Sequence, residues 1–221
     1  MTVQRPKSYE YTVTYGPLGK TTERTRFSKR EIEHLAVAIL LVVGVGLSYT
    51  GLPGFMSEGH AVDYTMLIGF VALFSASFFI HEMAHKLVAQ KEGYWAEFRL
   101  TLVGAALTLL SIMPIFFKII SPGAVMISGA ANKQHIGRIS IAGPATNIAL
   151  STIFLGTSIL VPGYSSIMLL GAAFNSWIAL FNLIPYGIFD GLKIFAWSKR
   201  IWVLAFGASL ALTVASYILT L

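Results

Sequence analysis

The residues best suited to chemistry form an H-E-x-x-H pattern at positions 81–85 of this 221-residue chain. His81 and His85 are four residues apart, so on a helix both imidazoles project from one face and can bind one metal ion. Zinc binds neutral imidazole and accepts a catalytic site of three protein ligands plus a water. Glu82 lies beside that face, where it can take a proton from the bound water. The pattern predicts a hydrolytic zinc centre that needs one more protein ligand.

The third ligand is sought among few residues, because the chain has no cysteine. Glu92 and Glu97 follow the motif closely in a polar loop, and His135 lies in a basic loop that favours solvation. Asp190 is the only acidic residue between Glu97 and the C-terminus, and it follows a long apolar segment. We expect Asp190 to be the ligand if the topology brings it to the depth of the two histidines.

The composition indicates a membrane protein. Hydrophobic residues make up 55% of the chain and charged residues 12%, about half the charged share of an ordinary soluble domain. The mean hydropathy of +0.70 disfavours a water-soluble fold and, despite a pI near 9.6, a nucleic-acid-binding domain. Ionisable residues inside a membrane helix are costly and indicate a functional site. The setting of the H-E-x-x-H pattern therefore strengthens the metal interpretation.

Five apolar segments are long enough to cross a bilayer core of about 30 Å. They predict an all-α polytopic membrane protein with a three-helix catalytic core and a small re-entrant β segment. The segments are Leu35–Leu52, Tyr64–Ile80 continuing to Gln90, Ile139–Val161, Ser166–Leu183 and Ile201–Leu221. A sixth stretch, Leu100–Ile120, is also apolar but contains Gly104 and Pro114. It is either a re-entrant segment or a sixth crossing.

The basic residues favour the five-crossing alternative. If Leu100–Ile120 is re-entrant, residues 1–34, 86–138 and 185–200 lie on one side and contain all 16 Lys and Arg. The positive-inside rule then places the N-terminus in the cytoplasm and the C-terminus outside the cell membrane. The second and fourth crossings run in the same direction, so Asp190 ends at the depth of His81 and His85. A full crossing would place Asp190 on the opposite side.

Shorter patterns predict the remaining parts. Gly123–Gly129 is predicted as a short strand that pairs with Leu100–Val103. Alternating residues in the basic N-terminal arm predict a surface hairpin, although its charges also act as topology determinants. Ser28 and Glu31 form a capping-box pattern before the first helix. The predicted divisions are a cytoplasmic arm (1–34), a first crossing with an external loop (35–62), the catalytic core (63–192, with the re-entrant segment at about 100–130) and a C-terminal crossing (193–221).

Three motifs together resemble the site-2 protease family of intramembrane zinc metalloproteases. They are His81–His85, Gly143-Pro144-Ala145-Thr146-Asn147, and Asn182-x-x-Pro185-x-x-x-x-Asp190-Gly191. The resemblance covers about residues 63–192 and implies one Zn²⁺ per chain. It implies zinc ligation by His81, His85 and Asp190, with Glu82 as catalytic base. Asn182 is then expected to hold the substrate backbone or the developing oxyanion, or else it is a polar packing residue.

The resemblance implies hydrolysis of transmembrane substrate proteins near the cytoplasmic side of the membrane. The expected partners are those substrates and the lipid bilayer, with no nucleic acid. Two alternatives stay open: a metal-ion transporter and a membrane adaptor without catalysis. Gly187 and Leu192 depart from the family pattern, which often has proline and glycine there. Gly143 and Pro144 are interpreted as a close helix contact, and Asn147 as a candidate for interhelical hydrogen bonding.

Overall fold

A computed structural model describes residues 27–49, 64–113, 119–129 and 131–220. The predicted N-terminal hairpin and the external loop after the first crossing lie outside the described residues. In chain order the elements are α1 (Lys29–Tyr49), α2 (Tyr64–Lys91), β1 (Trp95–Leu100), α3 (Leu102–Leu110), β2 (Gly123–Ser128), α4 (Lys133–Leu160), a 3₁₀ turn (Pro162–Tyr164), α5 (Ser165–Asn182), α6 (Asp190–Trp197) and α7 (Lys199–Thr220).

Five helices in the described part of the chain are long and apolar enough to cross a membrane: α1, α2, α4, α5 and α7. The predicted all-α polytopic class is therefore confirmed, with five candidate crossings among the described residues. The candidate sixth crossing contains only the nine-residue α3 among its described residues. A helix of that length rises about 14 Å, roughly half of a hydrocarbon core.

The two strands form an antiparallel hairpin in which Leu100 is opposite Gly123 and Trp95 is opposite Ser128. The predicted strand at Gly123–Gly129 is present, but the expected pairing with Leu100–Val103 is wrong beyond Leu100. Thr101 ends the strand instead, because its hydroxyl accepts the N–H of Gly104 at 3.2 Å and caps α3. The segment before Thr101 supplies the partner strand.

Helix α1 is fixed at its N-terminus by one half of the predicted capping box. The hydroxyl of Ser28 accepts the N–H of Glu31 at 3.1 Å. The reciprocal bond is not made, because the Glu31 carboxylate accepts a 2.6 Å bond from Lys86 Nζ and a 2.9 Å bond from the Phe98 N–H. Glu31 and Lys86 are both fully buried. This ion pair joins α1 to α2 and β1.

The apolar core lies between α1, α2, α5 and the hairpin. Val42 and Val45 of α1 pack with aromatic residues of α2, β1 and α5, among them Phe98. The rings of Phe74 and Phe174 stack at a centroid distance of 3.3 Å. Helix α4 packs closely against α2 and α5. The three helices that carry the sequence motifs therefore share one interior.

Candidate metal centre

Two histidine side chains of α2 point to the same interior position. His81 and His85 are separated by one helical turn, and their Nε2 atoms are 3.1 Å apart. Both residues are buried, with exposed fractions of 3% and 6%. The predicted pairing of their imidazoles on one helix face is therefore present in the structure.

Asp190 reaches the same position from the start of α6. Its Oδ2 atom lies 3.0 Å from His85 Nε2 and 3.8 Å from His81 Nε2. The three donor atoms lie within 4.8 Å of one another. Among the described residues, these are the ones that form a group able to hold a metal ion. The structure thus brings together the three residues that the sequence predicts as ligands.

The outer nitrogen of His85 establishes which ring atom faces the centre. Its Nδ1 lies 2.7 Å from the main-chain oxygen of Ile139. A carbonyl oxygen can only accept a hydrogen bond, so Nδ1 must carry the proton. The lone pair of Nε2 is then directed at the centre, as metal ligation requires. His81 is arranged in a similar way, since its Nδ1 contacts the side-chain oxygen of Asn147.

The geometry of the cluster fits zinc. Ligand bonds of about 2.0–2.2 Å in a tetrahedron place donor atoms roughly 3.3 Å apart, and the observed separations run from 3.0 to 3.8 Å. Gly143 of α4 borders the same space, because a Cβ there would lie 2.6 Å from His81 Nε2 and closer still to His85 Nε2. The space beside the nitrogens is open because residue 143 has no side chain. Two imidazoles and a carboxylate are also a usual donor set for zinc.

Glu82 is buried next to His81, with an exposed fraction of 7%. Within the described ranges, no donor forms a hydrogen bond or ion pair with its carboxylate. A carboxylate without a partner beside a candidate metal centre is free to accept a proton.

Lys193 holds the outer oxygen of Asp190. The Nζ atom of Lys193, one turn further along α6, lies 3.3 Å from Oδ1, while Oδ2 faces the histidines. Burial by itself would raise the pKa of the Asp190 carboxyl. The neighbouring His85 and the charge of Lys193 outweigh burial and hold this pKa well below its usual range. The carboxyl is therefore ionised at neutral pH and can act as a ligand.

The connection between α5 and α6 depends on two glycines. Gly191 packs so tightly on the end of α5 that a Cβ there would lie 2.5 Å from the carbonyl oxygen of Ile184. Gly187 has φ +61°, a conformation that proline cannot adopt because its ring fixes φ near −65°. A proline at position 187, which the family pattern often has, would therefore require a different turn before Asp190. Asn182 ends α5 and donates its Nδ2 to the carbonyl of Ile178 at 3.0 Å.

The other candidate ligands lie in separate contacts. His135 accepts or donates a 2.7 Å bond with the hydroxyl of Tyr94, and its Nε2 is 3.3 Å from Glu92. Glu97 pairs with Arg99 on the hairpin. His135 therefore connects the start of α4 with the turn between α2 and β1, and the ion pair of Glu97 lies within β1.

Two features of the centre are not recognised from the sequence. Gly143 is interpreted there as a packing residue, yet it faces both Nε2 atoms. Asn175 and Ser77, which no motif includes, connect through Asn147 to His81. For Asn175 and Ser77 the available signal is a polar side chain inside an apolar helix, which is costly without a partner.

Comparisons with known proteins find relatives that are named as zinc metalloproteases. The chain is 30% identical over 185 residues to the protein named "Putative zinc metalloprotease MJ0611" of Methanocaldococcus jannaschii, covering 81% of this chain and 90% of that protein. It is 29% identical over 178 residues to "Putative zinc metalloprotease Rip3" of Mycobacterium tuberculosis, covering 76% of this chain and 41% of that protein. No protein-family model and no solved structure matches the chain.

Proposed function

This chain belongs to the site-2-protease-like zinc metalloproteases, and on that premise we propose that it hydrolyses peptide bonds of transmembrane proteins inside the bilayer, near its cytoplasmic face. The observation that carries the proposal is the position of the cluster. His81, His85 and Asp190 converge at one end of a membrane-length apolar helix, beside an unpartnered Glu82. A soluble metalloprotease has no need of such a helix.

The depth of the centre supports cleavage close to one membrane surface. His81 is 17 residues from Tyr64, the first residue of α2, which corresponds to roughly 26 Å of helix rise. Arg138, Lys193 and Lys199 lie near this same end of the helices. By the positive-inside rule this end is cytoplasmic. We therefore place the protein in the cell membrane with its N-terminus in the cytoplasm.

The proposed mechanism assigns the proton transfers to Glu82. His81, His85 and Asp190 would hold a zinc ion, which would supply the Lewis acid for polarising the scissile carbonyl and acidifying the attacking water. The Glu82 carboxylate accepts a proton from that water and delivers it to the leaving amine. Asn182 lies at the end of α5 and has one amide N–H and its carbonyl oxygen left to contact the substrate backbone.

A substrate helix must unwind before cleavage, because its own hydrogen bonds shield its amides. The hairpin offers a suitable edge for the unwound segment. The outer edge of β1 is already occupied, since the N–H groups of Phe98 and Leu100 are bound by Glu31 and by His34 Nδ1 at 2.9 and 3.1 Å. Val125 is opposite Phe98 in the register, and Ile127 is opposite Ala96. Because hydrogen-bonded and non-hydrogen-bonded pairs alternate along an antiparallel ladder, the N–H and C=O groups of Val125 and Ile127 point away from β1.

The edge of β2 is therefore the one that we propose pairs with substrate. Within the described part of the chain, the outward groups of Val125 and Ile127 have no main-chain partner in another element. Addition of an extended peptide to such an edge satisfies the peptide amides through main-chain bonds. The side chains of both residues pack against the cluster formed by Ala89, Ala96 and Ile139, two of which lie on the helices that carry or border the centre.

The test uses purified protein in proteoliposomes with a single-span model substrate whose helix contains glycine near its cytoplasmic end. We expect Glu82→Gln to retain stoichiometric zinc and to lose cleavage by at least about 10²-fold, the lower range for general-base removal. Asp190→Ala is expected to lose zinc. Full cleavage by Glu82→Gln would refute the mechanism. Zinc flux without cleavage would favour a transporter, and bound zinc with neither activity would favour an adaptor.

A further inference from the structure

A chain of buried polar side chains extends from the metal centre across three helices. We call Ser77, Asn175 and Asn147 the polar relay; Ser77 lies on α2, Asn175 on α5 and Asn147 on α4. Asn147 Nδ2 donates to Asn175 Oδ1 at 2.7 Å, and Asn175 Nδ2 donates to Ser77 Oγ at 2.9 Å. Their exposed fractions are between 0% and 2%. The relay ends at Nδ1 of His81, which contacts Asn147 Oδ1.

Two main-chain carbonyls establish the direction of the relay. Asn175 is 2.9 Å from the carbonyl oxygen of Gly171, and Ser77 is 2.8 Å from that of Leu73. A carbonyl can only accept, so the Asn175 atom that faces Gly171 must be the nitrogen, and Ser77 must donate its hydroxyl proton to Leu73. Ser77 Oγ then accepts the second N–H of Asn175.

This orientation determines the state of every later group. With its nitrogen committed, Asn175 presents Oδ1 to Asn147, and only an N–H of Asn147 can satisfy that oxygen. Asn147 must therefore present its own Oδ1 to His81. Because that oxygen only accepts, the proton of the neutral His81 ring must reside on Nδ1. The lone pair of Nε2 is left directed at the metal position.

We propose that Asn147, Asn175 and Ser77 are positioning residues that hold His81 in the tautomer able to bind zinc. The proposal rests on the proposed metal site, and it adds residues of α5 and α2 that do not contact that site. His85 obtains the same tautomer directly from the carbonyl of Ile139. His81 needs the relay because its hydrogen-bond partner is an amide side chain, which could otherwise rotate and present its nitrogen. Second-shell partners of this kind typically change metal affinity by about 10- to 100-fold when removed.

The experiment compares Asn175→Leu with a matched control, Ser151→Ala. Ser151 is also fully buried, and its hydroxyl joins the same two helices through a 2.8 Å bond to the Ala172 carbonyl. We expect zinc affinity, measured by chelator competition, to fall about 10-fold or more in Asn175→Leu and to stay within about twofold of wild type in the control. Both variants lose an interhelical hydrogen bond, so a merely structural role would lower thermal stability in both and leave zinc affinity equal.

A second measurement reports the tautomer of His81 in the absence of zinc. The ¹⁵N shifts of His81 in the metal-free protein, assigned by their loss in His81→Gln, are expected to report an Nδ1-protonated ring in wild type and a mixture of tautomers in Asn175→Leu. Asn175→Ala, which removes the same amide without adding a larger apolar side chain, is the second variant in case Asn175→Leu does not fold, and it is expected to give the same mixture. An Nε2-protonated ring in wild type, or an unchanged tautomer in both variants, would overturn the proposal. A defined tautomer in a protein that does not cleave substrate would overturn the proposed function alone.

Discussion

Replacing Gly143 with alanine tests whether α4 provides the space for the metal. The new methyl carbon would lie 2.6 Å from His81 Nε2 and closer to His85 Nε2. Ordinary contact begins at 3.4 Å, so the tip of the His81 ring must withdraw by about 0.8 Å, and the His85 ring by more. Functional sites tolerate displacements of only about 0.5 Å. Both rings are also tied at Nδ1 to Asn147 and Ile139, which opposes this movement.

We therefore expect Gly143→Ala to weaken zinc binding by at least about 100-fold, the upper range for second-shell changes, because the methyl group also enters the metal position. The helix itself should not suffer, since alanine is favoured over glycine in a helix interior by about 1 kcal/mol. The assay is chelator competition for zinc, with thermal unfolding of the metal-free protein measured in parallel.

Gly156→Ala is the matched control for this prediction. Gly156 lies in the same helix, and a Cβ there would meet no atom within 4 Å. It should leave zinc affinity unchanged and stability equal or slightly higher. If Gly143→Ala bound zinc as tightly as wild type, the geometry assigned to α4 would be incorrect. If it unfolded while Gly156→Ala did not, the clash would be acting on the fold and not on the metal.

Three further predictions concern other parts of the structure. Lys86→Met leaves the Glu31 carboxylate buried without its cation and should lower the unfolding free energy by about 3–5 kcal/mol, whereas the double variant with Glu31→Gln should recover part of that loss in a denaturant titration. Val125→Pro removes an outward N–H of β2 and should raise KM for the model substrate while zinc content is kept. The N–H of Met126 faces β1 instead, so Met126→Pro should unfold the hairpin. Equal effects of the two variants would contradict the assignment of the free edge to β2. Gly191→Ala places a Cβ 2.5 Å from a carbonyl oxygen of the preceding loop and should weaken zinc binding by displacing α6, an outcome that metal analysis can refute.

The local part of the centre could be predicted because helical spacing determines it. His81 and His85 share a face on any α-helix, so their pairing needs no knowledge of the fold. Asp190 follows from a second argument. The distribution of Lys and Arg along the chain sets the direction of each crossing, and therefore the side of the membrane on which residue 190 lies. Neither argument requires knowledge of how closely the helices pack.

The partner strand was predicted at the wrong place although its signal is present in the sequence. Ala96, Phe98 and Leu100 alternate with Glu97 and Arg99, which is the period of a strand with one buried face. The buried face is also what the structure shows for Ala96 and Phe98. Apolar content favours Leu100–Val103 as the partner strand, whereas alternation favours the segment that the structure shows.

The remainder of the centre depends on how closely different helices approach, and no spacing along one helix encodes this. Asn147 and Asn175 are 28 residues apart, and their contact exists because α4 and α5 pack side by side. The close approach itself requires glycine, because a Cβ at Gly171 would lie 2.9 Å from the Leu73 side chain, where α5 meets α2. Small residues and amide side chains in apolar helices are therefore read correctly only as a set. Glycine permits the approach, the amides satisfy each other within it, and the orientation of the amides then determines which nitrogen of His81 faces the metal.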